Sequence, residues 1–464
     1  MSGAPATLFV TGRLAEPALR DVLERLELPG GHEVLAMNIT VAALMTTSWI
    51  ARRLTLPAGV ERVVLPGLVE GDVAVLEDAL GVPVEKGPAD LLELPRWLGR
   101  AEARAALGPR DVRVFAEINH VPYLHRDEVL ARAERYRAEG ADVIDLGMSL
   151  DRSWLEEGPA TIAALLERGH VLSIDSLDPE HIRMADAAGV SYVLSLTPGT
   201  LGLAAELRAT PVLIPDDPGD LAPLDAAIAQ LRADGRPFLV DPVLSPIGAG
   251  FAASLGRYLD VRRRHPHAEM LMGIGNLTEL TEADSTGVTA LLIGFCQELR
   301  ITSVLTTSVI GWAHGAVREA VLAAQIMHLA DRLRRPPKHL DAALVTARDE
   351  ERSEVGEDEL RDLQARVRDA NYRLYATGDH LYAFNAERFV RGADMYEVFD
   401  QLDVDDPGHA FYLGKELMKA TIAQGLRKAY QQERPLDWGY MSFEEPRRPG
   451  GRPRRATPAR RESR

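Results

Sequence analysis

Seven polar residues stand at or just past the ends of short apolar runs in the middle of this chain: Glu117, Asn119, Asp145, Asp175, Asp216, Asp241 and Asn276. Asp145 lies in GADVIDLG, Asp175 in VLSIDS and Asp241 in FLVDPVLSPIGAGF. A carboxylate at the end of a buried strand costs roughly several kcal/mol unless it is hydrogen-bonded or charge-paired. Two kinds of partner meet that cost. The carboxylate can cap a following helix or bond loop amides. Or it can take a ligand with several N–H donors, accepting in a bidentate fashion from an amidine-like pair. Asn119 would add a donor and an acceptor to the same ligand.

Competing chemistries lack their residues. The chain has no HExxH, no set of His and Cys at metal spacing, and no GxSxG nucleophile elbow. It has no GxGxxG and no P-loop, so Gly12, Gly67 and Gly87 read as turn glycines. The single cysteine, Cys296, sits in an apolar run and reads as buried and inert. No protein metal site is expected. His120, His125 and Arg126 flank the loop after the first run and suit a phosphate or an Mg²⁺-bridged diphosphate, or else a solvated loop. His314 is placed to reach the same region, whereas Arg263 and Arg264 read as an exposed helix end.

The elements that must position these residues recur with a period. The apolar runs are 112–119, 142–147, 171–175, 192–196, 211–217, 238–242, 270–276 and 303–307, with a helix-like stretch after nearly every one. Continuous apolar strands imply a sheet buried on both faces. Eight βα units close a parallel barrel, whose active site lies at the C-terminal ends of the strands. The expected fold is therefore α/β, a (β/α)8 TIM barrel over residues 110–335. A small α/β domain precedes it (1–107), with strands in ATLFVTG, HEVLAMN and ERVVLPG and helices over 15–27 and 41–54. A smaller α+β domain follows (340–443), mostly helical and charged to about 375. Its last ordered helix is expected over 409–428, with Trp438 and Tyr440 lying against the body.

Residues 446–464 form a Pro-, Gly- and Arg-rich tail, expected to be disordered, that carries eight Arg and one Glu. The whole chain has a net charge of −16, so the remainder is near −23. An acidic body argues against nucleic acid as the main partner. No apolar stretch is long enough to span a bilayer and the N-terminus lacks a signal-peptide pattern, so a cytoplasmic location without membrane attachment is expected.

GADVIDLG, LSIDSLDPEHIRMADAAGV and VDPVLSPIGAGF resemble the second, third and sixth strand motifs of dihydropteroate synthases, and FAEINHVP resembles their first. That family and its pterin-dependent methyltransferase relatives share a pterin-binding barrel. The resemblance covers about 112–320 and implies that Asn119, Asp175 and Asp241 contact a pterin. Asp145, Asn276 and Arg152 complete the expected substrate-binding set. The loops after the first two strands, with Arg152, would hold a diphosphate, with Mg²⁺ as its companion. The sequence departs from the family after strand seven, where GIGNLTELT replaces Ser-Arg-Lys and puts Asn276 or Thr278 near the lysine's place. It departs again at strand four, with Ser195 where Asn is expected, and at strand eight.

Over the whole chain, LFVTGRLAEPALR, TVAALMTTSWIA, KGPADLLELP and SVLTTSVIGWA are similar to segments of the dihydropteroate synthase-like proteins of methanogens and methylotrophs. GHAFYLGKELMKATIA resembles a C-terminal domain of tetrahydromethanopterin-linked methyltransferase subunits. What this implies is a transferase of tetrahydromethanopterin biosynthesis and one-carbon metabolism. It would join a pterin-methyl diphosphate to an arylamine, a ribofuranosylaminobenzene phosphate. Two alternatives stay open, a pterin-dependent methyltransferase or methyl carrier and a non-catalytic pterin-binding assembly subunit. A homodimer is compatible with each.

Overall fold

A computed structural model describes residues 7–26, 28, 31–88, 91–99, 107–149, 151–349 and 355–443. The chain divides into two compact units between residues 106 and 107. The tail 446–464 lies outside the described residues.

In the first unit, β1 (Thr7–Gly12), β2 (His32–Met37), β3 (Arg62–Leu65) and β4 (Val84–Lys86) form a parallel sheet in the order β2-β1-β3-β4. β4 is a fourth strand that the sequence pattern did not reveal, because three residues carry no period. The helix expected over 41–54 is also corrected. A 3-10 turn covers Ala42–Leu44, and a separate five-residue helix, Thr47–Ala51, starts at Thr46. Thr46 accepts from the Trp49 N–H at 3.2 Å and pairs by a β-bridge with Glu70, which holds the chain extended between the two turns. Gly12 has no room for a side chain. A Cβ there would lie 2.9 Å from the Ala42 backbone nitrogen.

The second unit contains a closed parallel barrel of eight strands: β5 (Arg113–Ile118), β6 (Val143–Gly147), β7 (Leu172–Asp175), β8 (Tyr192–Leu196), β9 (Thr210–Leu213), β10 (Leu239–Val240), β11 (Glu269–Gly273) and β12 (Ser303–Thr307). It closes by β12 pairing with β5, Thr307 opposite Glu117. Helices follow the strands, so the architecture is the expected (β/α)8 barrel. Side chains alternate across each strand. Val114, Ala116 and Ile118 face the helices in the large outer core. Phe115, Val143, Leu194, Val212, Leu239 and Leu271 fill the barrel interior. Arg113 closes the N-terminal end, donating to the Tyr192 hydroxyl at 2.9 Å and to Glu269 at 2.5 Å.

After the barrel comes a three-stranded antiparallel sheet of β13 (Arg373–Thr377), β14 (His380–Phe384) and β15 (Phe389–Gly392). The helix Pro407–Leu426 packs on one face through Leu413, Leu417 and Ala420. Leu360 of the helix Glu357–Arg366 packs with Tyr382 and Phe384. That ten-residue helix is the only one among the described residues of 340–375, where a mostly helical stretch was expected. The segment before it is tied down as irregular chain instead, since the buried Lys428 ammonium bonds Thr346 O at 3.0 Å and Asp349 at 2.7 Å. Tyr440 reaches the helix Ala316–Leu333, where its hydroxyl meets the Glu319 carboxylate at 2.5 Å. Glu319 is nearly closed to solvent and also accepts from Ser285, Thr286 and Thr289. Among the described residues no helix is long and apolar enough to cross a membrane.

Candidate functional site

Strand parity decides which residues can meet a ligand. Phe115 and Val143 point into the barrel, so Glu117 and Asp145, two residues further on, point the same way at the mouth. Asp175 and Asp241 follow by the same alternation on β7 and just past β10. The register sets Glu117 opposite Asp145, and Gly147 opposite Asp175. A Cβ on Gly147 would collide with Oε1 of Glu117, so this strand end needs glycine to admit the Glu117 carboxyl. A Cβ on Gly273 would lie 3.7 Å from both Asp241 Oδ2 and Asn276 Nδ2, so those two groups flank β11's last residue.

The four carboxylates differ in what donates to them. Asp241 is best supplied, with the Tyr258 hydroxyl at 2.5 Å and the Val243 N–H at 2.8 Å on Oδ1. Asp175 takes the Ser195 hydroxyl at 2.5 Å. Ser195 can reach it because its φ of 66° and a bulge between Val193 and Leu196 turn the side chain away from its expected direction. Asp145, at 0% exposure, takes the Ser173 hydroxyl at 2.5 Å, and its Oδ2 has no partner among the described residues. No described residue donates to Glu117. Asp145 and Asp175 are thus bonded by hydroxyls of neighbouring strands and do not cap helices. Helix and loop capping belongs to Asp178, on the Glu180 N–H, and to Asp216, on the Gly199 N–H.

Among the described residues no lysine or arginine pairs with any of the four. Burial, then the charges of Asp175 and Glu279, push the Glu117 carboxyl up to about 8. Burial, then Asp175 and Glu117, raise Asp145 well above the usual carboxylate range. Burial raises Asp175 against the Ser195 hydrogen bond. Burial also raises Asp241, to about 6, against its donors Tyr258, Val243 and Gly273. Each of these groups keeps its proton to a higher pH in the folded chain than in the unfolded one. Stability from them is therefore fully present below the unfolded carboxylate values and is lost as pH rises through the folded ones. We expect the unfolding free energy, and with it the urea midpoint, to fall between pH 5 and pH 8, the free energy by up to about 1.4 kcal/mol per pH unit for each retained proton. Glu117→Gln should flatten that slope. Equilibrium unfolding at a series of pH values checks this, and a midpoint that climbs over the same range would contradict it.

Asn119 is half-buried and accepts the Thr307 hydroxyl at 2.7 Å, which leaves its amide nitrogen to donate into the mouth. Asn276 is exposed, with its amide on Leu244 O at 3.0 Å. Thr278, the other candidate for the lysine's place, is buried against the carbonyls of its own turn. Arg152 is exposed on the loop after β6, its guanidinium 5.0 Å over the Tyr123 ring, and the Tyr123 hydroxyl donates to Asp151 at 2.6 Å. The loops after β5 and β6 thus meet, and His120 joins them through Ser149 at 3.0 Å. His314 is exposed. Cys296 is buried, as expected.

Sequence reasoning noted Glu117 but did not select it, and it missed Ser195 as a hydrogen-bond donor and Tyr258 altogether. Parity from Phe115 was the available signal for Glu117. Tyr258 lies 17 residues beyond Asp241 with nothing local to link them.

Residues 6–89 match the model of a family described only as a family of unknown function, DUF6513. The uncharacterized protein MJ0107 of Methanocaldococcus jannaschii is 24% identical over 92% of this chain and 98% of its own length. Among solved structures, Yersinia pestis dihydropteroate synthase with a pterine-sulfa conjugate is 20% identical, covering 48% of this chain and 95% of its own, with a TM-score of 0.39. The Xanthomonas albilineans dihydropteroate synthase in complex with 7,8-dihydropteroate is 22% identical over 49% and 95%, with a TM-score of 0.37.

Proposed function

We propose that this protein is a pterin-binding transferase that joins a pterin-methyl diphosphate to an arylamine. The observation that carries the reading is a set of carboxylates at one end of a parallel barrel, Glu117, Asp175 and Asp241 at the mouth and Asp145 sealed beneath them, with no lysine or arginine paired to them among the described residues. A pterin presents N3–H and a 2-amino group side by side, and a carboxylate accepts both. Asp175 and Asp241 are the acceptors, and Asn119 contributes its free amide N–H. The strand motifs around these residues support the same assignment.

In the reaction, the C–O bond of the pterin-methyl diphosphate breaks and the electron pair leaves with diphosphate. The arylamine nitrogen bonds the methylene carbon and then releases its proton. The chain's contribution is position and charge. Asp175 and Asp241 orient the ring, and their negative charge favours the cationic methylene. Arg152 and His120, on loops that meet beside the mouth, are placed for the diphosphate. Mg²⁺ remains the expected companion of the diphosphate, where it would offset the charge of the leaving group.

The place of the reaction in tetrahydromethanopterin biosynthesis, with a ribofuranosylaminobenzene phosphate as the amine, is part of this proposal. It rests on the motif resemblance and on Asn276 standing where the family has lysine. The phosphate of the larger amine offers binding energy that p-aminobenzoate lacks. We therefore expect the phosphorylated, ribosylated arylamine to turn over faster than free p-aminobenzoate, followed by diphosphate release from the purified protein. Equal or faster turnover of p-aminobenzoate would overturn this choice of amine. Binding of the pterin without diphosphate release from either amine would overturn the transferase itself.

A further inference from the structure

The four mouth carboxylates cannot all be ionised. Glu117 stands opposite Asp145 in register and Asp175 opposite Gly147, no lysine or arginine among the described residues pairs with the four, and like charges in such a site drive one another to hold protons. Their donors decide which ones do. Asp241 has a phenol and a backbone N–H on one oxygen, and Asp175 has a serine hydroxyl, which offset part of what burial costs their anions. Asp145 has one hydroxyl but is closed to solvent, so it cannot touch a ligand. Glu117 is different on both counts. It is partly exposed to the mouth, and no described residue donates to it.

The groups around Glu117 reinforce this. Across from it on β12 is Thr307, whose hydroxyl is spent on Asn119. Across on β6 is Asp145, with Gly147 leaving space for the Glu117 carboxyl. Asp175 acts on it from β7, and Glu279 from the loop after β11. Glu279 is itself raised by burial, with His120 as a smaller opposing influence, and His120 is exposed and bonds Ser149. The two groups that act on Glu117, Asp175 and Glu279, are both acidic.

We propose that Glu117 is a neutral carboxylic acid that determines specificity by donating a hydrogen bond to an acceptor atom of the ligand, the carbonyl oxygen or a ring nitrogen of the pterin. This inference rests on the pterin reading above. It gives the mouth two complementary sides, with Asp175 and Asp241 accepting from the ring's N–H edge and Glu117 donating to its acceptor edge. It also supplies, without positive charge, a donor in a site that has no lysine.

The test is calorimetric titration of 6-hydroxymethyl-7,8-dihydropterin from pH 6.5 to 9.5 into the wild type, Glu117→Gln and Glu117→Leu, each first checked for an intact melting transition. Gln keeps the volume and an N–H donor but cannot titrate, and ionisation of the ligand cancels in the comparison. At pH 7 the Gln variant should bind within about threefold of wild type, and the Leu variant about tenfold or more weaker. The wild-type to Gln affinity ratio should stay level to about pH 8 and then fall toward tenfold per unit. A ratio that stays flat to pH 9.5, a Leu variant that binds like wild type, or a Gln variant more than tenfold weaker at pH 7 would each overturn the role of Glu117. Those results would leave the pterin reading standing, because the wild type would still bind. No binding to the wild type at any pH would overturn both.

Discussion

Asp175→Asn should keep the fold and lose the ligand. The substitution is isosteric, and the Asn carbonyl can still accept the Ser195 hydroxyl that Asp175 takes at 2.5 Å. It removes one negative charge from a cluster with no cation, so the unfolding midpoint should hold or rise. Affinity for a dihydropterin should drop by about 2–5 kcal/mol, the usual cost of breaking a buried charge-assisted pair. That is roughly a 30- to 4,000-fold weaker Kd. Titration calorimetry of the two proteins reads this directly. If the variant binds as wild type does, Asp175 is not part of the site.

The second large effect is expected at the C-terminal end of the barrel unit. Truncation after Gln432 removes Leu436, which is 6% exposed, and the Tyr440 hydroxyl on Glu319. It also removes the Trp438 ring, whose centroid is 4.8 Å from the Lys428 ammonium, and the Arg434 carbonyl that takes Lys419 at 2.8 Å. The Glu433 N–H that bonds the fully buried Glu416 goes with them. Lost aromatic area and stripped buried charges together should cost about 3–5 kcal/mol, read as a fall of several degrees in melting temperature. Deleting 446–464 should change neither melting temperature nor pterin binding, because exposed Arg pairs contribute little. A tail deletion as damaging as the longer truncation would show that the boundary at 446 is misplaced.

The barrel was legible because its strands are short apolar runs ending in polar residues, and that pattern survives without any knowledge of contacts. Ser303–Thr307 and Tyr192–Leu196 match their runs residue for residue, and Asp145, Asp175 and Asp241 all face the interior. Exposure was not legible. Asp145 reads as an equal of Asp175 in sequence, yet it is sealed under the mouth while Asp175 is open to it. Glu117 was passed over because the neighbouring Asn119 carried the motif. Ser195 has a strand-like sequence, and nothing in YVLSL announces a left-handed residue. Residues 41–54 misled for another reason, since apolar content without a 3.6-residue period does not distinguish a helix from two turns joined by an extended link.

Val243 has a φ of 68°, a left-handed backbone on a β-branched residue. Such a conformation costs roughly 1–3 kcal/mol and persists only where neighbours over-determine it. Here two side chains hold it from opposite ends. Asp241 grips its N–H, and the Arg257 guanidinium holds its carbonyl at 2.6 Å. The loop behind the sixth barrel strand is thus held under strain, and the Asp241 carboxylate at the mouth is one of its two catches. Asp241 therefore has two tasks, one oxygen pinning this loop and the other left toward Gly273 and the mouth.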